Sequence, residues 1–452
     1  MSGVLGRPVS IAWLVAFRVL FGAAMCISML RFIGYGWIDE FFVDPPLHFK
    51  YWGFAWVEVL PRAEMHALFW ILAALALGIM LGVYHRLAAA LFAAGFSYLQ
   101  LIDVATYLNH YYLASLLALL LAFSPAHRAF SVDAFRHRNR RAFAVPAFWL
   151  YLFRFQVGVV YTFAGLAKAQ SDWLVHAQPL RIWLGSHTDL PVLGALFTLP
   201  GAPTVMSWAG FGFDTSVSFW LLLHRTRRFA YPALLVFHAL TGVLFPIGMF
   251  PVIMTLAALV FFPPAWPLRL WARWYPAITQ QEHRVRQGDR RAALPRAALA
   301  VGALYCTLQI AVPLRFLTYG GNVLWHEQGM RFSWRVMVRE KNASVTYLVR
   351  EKTTGRVRHV NPRSYVTRIQ EREIATQPDL VLQLAHHIRD DFQRRGLGPV
   401  EVRVDAFVSL NGRRLARLID PQVDLGAVRD GLGKATWILP SPSEPPPHTQ
   451  PI

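Results

Sequence analysis

Long apolar runs separated by short, arginine-bearing loops fill the first two thirds of the chain. Runs long enough to span a bilayer lie near 10–30, 65–84, 87–106, 109–124, 146–167, 205–223, 229–247, 249–265 and 297–316. They predict about nine transmembrane helices, the eighth short and ending at Pro263-Pro264. The first run is too long for a signal-peptide core and no small-residue cleavage site follows it, so it reads as a retained helix. Beyond Phe316 the pattern changes. Val345-Thr346-Tyr347-Leu348-Val349 and Val402-Arg403-Val404-Asp405-Ala406-Phe407-Val408 alternate as strands do, and Asn411-Gly412 is a hairpin-turn signal. Leu380, Leu382, Leu384 and Ile388, set among charges, predict an amphipathic helix near 377–395. The expected fold class is a multi-pass α-helical membrane protein with a C-terminal extracytoplasmic α+β domain. The expected divisions are a transmembrane domain at 1–316, an α+β domain of roughly 120 residues at 317–439, and a disordered Pro/Ser-rich tail at 440–452.

Loop charge sets the orientation. The loop after the fourth run holds Arg128, Arg136, Arg138, Arg140 and Arg141 against one Asp133. The loop after the sixth holds Arg225, Arg227 and Arg228; the loop after the eighth holds Arg269, Arg273, Arg284, Arg286, Arg290, Arg291 and Arg296. Such loops stay in the cytoplasm. Residues 32–64 carry instead Asp39, Glu40, Asp44, Glu58 and Glu64, and residues 169–204 carry a single arginine, Arg181. The N-terminus is therefore expected inside and the tail outside. Composition agrees: hydrophobic residues make up 55% of the chain and charged residues 16%, less charge than a soluble domain carries. The net charge of +19 would suit nucleic acid, but it is concentrated in short loops between apolar runs. It reads as a topology signal, with membrane lipid and not nucleic acid as the expected surroundings. Cys26 and Cys306 both lie in apolar runs, so no disulfide framework or cysteine metal site is encoded.

Arg18, Arg154, Asp214, His238 and Gln309 interrupt apolar runs, where polar groups are costly and usually face the bundle interior. A buried ion pair of Asp214 with Arg18 or Arg154 competes with a functional reading. Arg154, Tyr161 and Lys168, seven apart, line one face of the fifth helix. Gly158 and Gly165 in that helix allow close approach of another helix or of a flat ligand. Lys168 closes the run. It is either an anchor that snorkels to the headgroups or an amine whose burial disfavours the cation and frees a base. Asn109-His110 opens the fourth run. His238 precedes Phe245-Pro246, where a broken helix would free carbonyls to line a cavity. No HExxH, paired cysteine or Gly-rich phosphate loop points to a metal or a nucleotide.

These residues fall into ordered blocks. Ala164-Gly165-Leu166-Ala167-Lys168-Ala169-Gln170-Ser171-Asp172-Trp173 resembles the AG-x-x-K-x-x-x-DW block of the vitamin K-dependent gamma-glutamyl carboxylase family. Asn109-His110 resembles its NH motif, and Phe237-His238 with Phe245 and Ile247-Gly248-Met249-Phe250 its FH…F-x-IGMF block. Phe332-Ser333-Trp334-Arg335-Val336-Met337-Val338, Asn361-Pro362, Val408-Ser409-Leu410-Asn411 and Ile419-Asp420-Pro421-Gln422-Val423-Asp424 resemble its SW-x-x-MV, NP, VS-x-N and DP-x-VD segments.

The resemblance implies a membrane enzyme that oxidises reduced vitamin K (phylloquinol or menaquinol) to its epoxide with O2. CO2 is added to glutamate of a peptide or protein, giving gamma-carboxyglutamate. It implies that the amine of Lys168 deprotonates the quinol, and that the alkoxide formed with oxygen removes the glutamate γ-proton. His238 would stabilise an oxyanion. Asn109, His110, Tyr161, Gly165 and Asp214 would bind the quinone, and Ser333, Trp334, Arg335 and Met337 the glutamate. Ala167 stands where animal members carry a second lysine, which favours desolvation over like charge as the means of activating Lys168. The animal disulfide has no counterpart, and neither does the long C-terminal extension. The block from Trp173-Leu174 to Pro179-Leu180-Arg181-Ile182-Trp183-Leu184 resembles shorter bacterial members, so a bacterial inner membrane is expected. A quinol epoxidase without protein carboxylation and a non-enzymatic membrane protein of the same fold are the alternatives.

Overall fold

The computed structural model describes residues 2–272 and 294–447. Arg273, Arg284, Arg286, Arg290 and Arg291 of the third basic loop lie outside the described residues, as do the last five residues of the tail. Each apolar run falls on a helical segment: α1 (Ala12–Gly34), α2 (Arg62–Leu81), α3 (His85–Ile102), α4 (Asn109–Phe123), α5 (Ala147–Leu166), α6 (Ala202–Leu222), α7 (His224–Leu244), α8 (Phe250–Ala257) and α9 (Arg296–Leu314). Four of these, α1, α2, α5 and α9, are long and apolar enough to cross a membrane by length and composition. The expectation of about nine crossings exceeds that number because α4 and α8 are short and α3, α6 and α7, though long enough, are less apolar. A strand pair, β1 (Pro8–Ser10) with β2 (Ala144–Pro146), ties the start of α1 to the start of α5.

Small residues set the helix crossings. A Cβ at Gly22 would lie 2.5 Å from the Met80 nitrogen and 2.7 Å from the Ala76 oxygen, so only glycine lets α1 and α2 approach so closely. Gly165 plays the same part between α5 and α6, where a Cβ would lie 2.5 Å from Thr215 Cγ2 and 2.6 Å from its nitrogen. Edge-on rings of Trp13, Phe17 and Phe153 fill the space between α1 and α5. Tyr305 donates to Gln156 at 2.6 Å and links α9 to α5.

The buried arginines do not pair with Asp214. Arg18 donates to the carbonyls of Ala126, Ala129 and Phe130, and Arg154 to those of Val260, Phe261 and Phe262. Both guanidinium groups satisfy carbonyls left free where a helix ends, a task that suits a five-donor side chain.

The C-terminal part is α+β. A sheet of order β4–β3–β5–β6 is built from β3 (Lys341–Glu351), β4 (Val357–Val360), β5 (Val400–Leu410) and β6 (Ala416–Arg417), all antiparallel. Alternate residues of β5, from Val400 to Leu410, are buried, as the sequence alternation predicts. They face Leu380, Leu384 and Ile388 of α11 (Pro378–Arg394), which follows α10 (Arg368–Thr376) and its Thr367–Gln370 capping box. Asn411 and Gly412 both take positive φ, as the turn signal requires, but the connection to β6 is longer than a two-residue hairpin.

This part seats on one end of the helical bundle. Gln370 donates to the Leu47 carbonyl and to Asp103, and Gln383 exchanges two hydrogen bonds with the backbone of Lys50. Phe49, Val104 and Ala167 belong to the same apolar core as Trp325, Val338 and Tyr347. The contacted loops follow α1, α3 and α5. Residues 440–447, expected to be disordered, run along this junction: the carbonyls of Glu444 and Pro447 accept from Arg413 and Gln178.

Candidate active site

Lys168 lies two residues beyond the end of α5 and is buried. Its Nζ donates to Asp214 Oδ2 at 2.8 Å and to the Ala164 carbonyl at 3.1 Å, and reaches the Val336 carbonyl at 3.5 Å. It sits 5.3 Å from the centre of the Trp173 ring. Asp214 projects from α6, and the Gly165 contact with Thr215 brings α6 near enough for the pair to form. The sequence reading of Lys168 as an edge residue and of Asp214 as a partner for arginine thus merges into one buried lysine–carboxylate pair. Two charges out of water need this geometry, because either one alone would be strongly destabilising.

A second pair lies on the same cavity. Tyr161 Oη and His238 Nε2 are 2.7 Å apart and both residues are buried. His238 Nδ1 has no partner among the described residues. Lys168, Asp214, Tyr161 and His238 all line a cavity of about 490 Å³, a volume in the range of small-molecule sites. The remaining walls are flat and apolar: Trp173, Trp183, the stacked rings of Phe213 and Phe237 with centroids 4.2 Å apart, and Phe245. Val336 and Met337, from the segment leading into the α+β part, complete them. A larger groove of about 890 Å³ on the outside of α3 and α4 contains Phe332 of the Phe332–Val338 block but none of the residues nominated for catalysis or binding. Convergent polar groups, not size, single out the smaller cavity as the candidate site.

The other nominated residues stand off this cavity. Asn109 accepts from the Tyr107 hydroxyl, and His110 is buried behind Phe250, whose ring centre lies 6.0 Å from that of His110 and 5.9 Å from that of His238. Gly165 faces Thr215 and serves the helix crossing. Ser333 donates to the Met330 carbonyl, Trp334 stacks on Tyr112 with centroids 4.9 Å apart, and Arg335 lies over Phe316. Of the four residues nominated for glutamate, only Met337 lines the cavity. Phe332, Trp334 and Met337 hold φ values of 60°, 58° and 49°, a concentration of strained backbone held by the packing around it.

Sequence reasoning missed a clamp beside the site. Asp172 accepts both terminal nitrogens of Arg413, each at 2.6 Å, and the amide of Asn411 at 2.7 Å. Burial would raise the Asp172 carboxyl, but the hydrogen bonds from Arg413 and Asn411 outweigh it and hold it below its ordinary value. Asp172 comes from the block around Lys168 and Asn411 from a block more than two hundred residues later, so this contact joins two motifs. Arg413 carried no sequence signal of its own.

Two family descriptions match the chain: the HTTM domain over residues 6–266 and the vitamin K-dependent gamma-carboxylase lumenal domain over 295–444. The chain belongs to the vitamin K-dependent gamma-carboxylase family. The first match spans the bundle as far as Trp266 and takes in Lys168, Asp214, Tyr161 and His238. The second spans α9 and the α+β part, including Val336, Met337 and Arg413. The cavity is therefore walled by residues from both matched regions. No solved structure matches the chain.

Proposed function

We propose that this protein couples oxidation of reduced vitamin K, or of menaquinol, to its epoxide with carboxylation of peptide glutamate, using O2 and CO2. The observation that carries this reading is a buried amine 2.8 Å from a carboxylate on the wall of an apolar cavity of about 490 Å³. A bicyclic quinone suits that cavity. Flat aromatic walls receive the rings, and the unpartnered His238 Nδ1 is a polar atom in want of a ligand oxygen. When bound, the reduced quinone supplies the reducing equivalents and the strong base that carboxylation needs.

The chain's own groups divide the remaining work. Lys168 Nζ receives a proton, and it does so as a neutral amine. Asp214 Oδ2 accepts from Nζ and holds it in place at the cavity wall. Tyr161 fixes the His238 ring. When Nε2 accepts from Tyr161, Nδ1 carries the hydrogen and donates to a developing oxyanion. Apolar walls keep water from a base stronger than any side chain. Val336 and Met337 form the side by which a glutamate from the α+β face enters, while Ser333, Trp334 and Arg335 hold that segment in its strained shape. His110, with Asn109, shapes the wall behind Phe250, and direct contact with a quinone requires Phe250 to turn aside. The proposed setting is a bacterial inner membrane crossed about nine times, with the N-terminus in the cytoplasm and the α+β part outside.

Purified protein in nanodiscs, given the reduced quinone, O2, labelled bicarbonate and a glutamate peptide, tests this. Epoxide together with acid-stable label in the peptide is expected. Epoxide without label would restrict the activity to quinol epoxidation. Neither product, with phylloquinol and with menaquinol, would remove the enzymatic reading.

A further inference from the structure

Two cavities separate from the proposed active-site cavity meet end to end. One is a bowl of about 490 Å³ where the loop after α4 folds against the start of α3. Arg86, Arg128, Arg136 and Arg140 line it, with His127 and His137. Its one carboxylate is already committed, because Asp133 accepts the backbone N–H groups of Tyr84 and His85 and caps α3. Arg136 lies over the Tyr84 ring. His127 Nδ1 is buried without a partner among the described residues. The other cavity is the groove of about 890 Å³ along α3 and α4, walled by Leu87, Ala90, Ala94, Leu101, Leu116 and Leu119. Arg86 and Leu87 line both. From Leu87 to Leu101 the trough runs about 21 Å along the helix at 1.5 Å per residue. That exceeds the depth of one lipid leaflet, about 15 Å or half the hydrocarbon core.

Arginines that act only as topology determinants need no such arrangement. Those after α6 show the contrast: Arg227 is spent on the carbonyls of Leu221 and Leu222, and Arg228 lies on Phe229. A cationic bowl that opens into an apolar trough divides polarity as an amphiphile with an anionic head does. We propose that bowl and trough bind an anionic phospholipid, its phosphate among Arg86, Arg128 and Arg140 and one acyl chain along α3. The bowl precedes α5 and Lys168 follows it, so about 30 Å of helix separates the bowl from the proposed active site.

The test adds dioleoyl phosphatidylglycerol, dioleoyl phosphatidylcholine or inorganic phosphate to delipidated protein in detergent. Bound mass is read by native mass spectrometry and the melting midpoint by fluorescence. Phosphatidylglycerol is expected to remain bound and raise the midpoint by several degrees, and phosphatidylcholine to do neither. The triple variant Arg86→Gln/Arg128→Gln/Arg140→Gln should bind phosphatidylglycerol on the order of 100-fold more weakly, from about a fivefold loss per arginine. Arg225→Gln/Arg228→Gln should bind as the wild type does. Ala94→Trp, which fills the trough and keeps every arginine, should also weaken phosphatidylglycerol binding. Equal binding of phosphatidylcholine, an equal midpoint shift with inorganic phosphate alone, or wild-type phosphatidylglycerol binding in either the triple variant or Ala94→Trp would overturn the assignment.

Discussion

Lys168 and Asp214 form a pair with almost no access to water, 2.8 Å apart, at the point where α5 gives way to a loop. Their closeness makes the two substitutions inequivalent. Lys168→Ala removes the proposed base and should lower epoxide and carboxylated peptide together by about 10²- to 10⁴-fold, with partial rescue by a small exogenous amine. Activity that survives it would displace Lys168 from the role. Asp214→Asn leaves a buried amine without its carboxylate and should cost about 3–5 kcal/mol. Adding Lys168→Met to that variant should recover most of the loss, since it removes the stranded charge. Thermal unfolding of the single and double variants measures this, and equal losses would argue against a shared pair. Tyr161→Phe leaves His238 Nε2 unbonded. It should cost about 1–3 kcal/mol in stability and lower turnover more than quinone affinity.

At the scale of elements, one glycine and one clamp set the site's dimensions. Gly165→Val puts side-chain atoms where Thr215 already stands and must separate α5 from α6. A cost of about 1–3 kcal/mol is expected, with epoxidation lost through the displaced lysine. Gly158→Ala, whose Cβ meets nothing nearer than Ser218 at 3.9 Å, should be tolerated. The clamp of Asp172 on Arg413 and Asn411 fastens the turn after β5 to the loop after Lys168. Its carboxyl is held below the ordinary value of about 3.9, so its contribution is complete above about pH 4 and is lost as pH falls through the lower, folded value. Hydrogen exchange of β5 and β6 should therefore quicken in acid in the wild type. In Asp172→Asn it should already be faster at neutral pH and depend less on acid. An unchanged acid response in that variant would assign the effect to other carboxylates.

For the whole molecule, the proposed orientation sets the arginine loops and the α+β part on opposite faces of a membrane. Single cysteines introduced as Arg225→Cys and Ser443→Cys, in a chain with Cys26 and Cys306 replaced, should react with an impermeant thiol reagent from opposite sides of sealed vesicles. Labelling from one side would refute an odd number of crossings between the two positions, where α7, α8 and α9 lie. Among the described residues four helices are long and apolar enough to cross a membrane; of the other five, the reagent bears on α7 and α8, which lie between the two cysteines.

Much of this was legible from residue order. The apolar runs located every bundle helix, and the alternation from Val402 to Val408 gave the buried face of β5. Such features depend on neighbours within a few residues, so periodicity reveals them. The motif blocks named the family and nominated Lys168 and His238. Contacts between distant segments were not legible. Arg18 and Arg154 looked like partners for Asp214, yet Arg154 lies about 21 Å from Lys168 along α5. Periodicity reports the face of a helix and says nothing of the depth at which another helix meets it. The close approach at Gly165 sets that depth and joins Asp214 to Lys168. Folding of the C-terminal part onto the bundle brings Arg413 to Asp172 and Met337 to the cavity wall. The chain order names the groups proposed to carry the chemistry; packing selects which of them meet, because a buried charge is stable only where its partner is within reach.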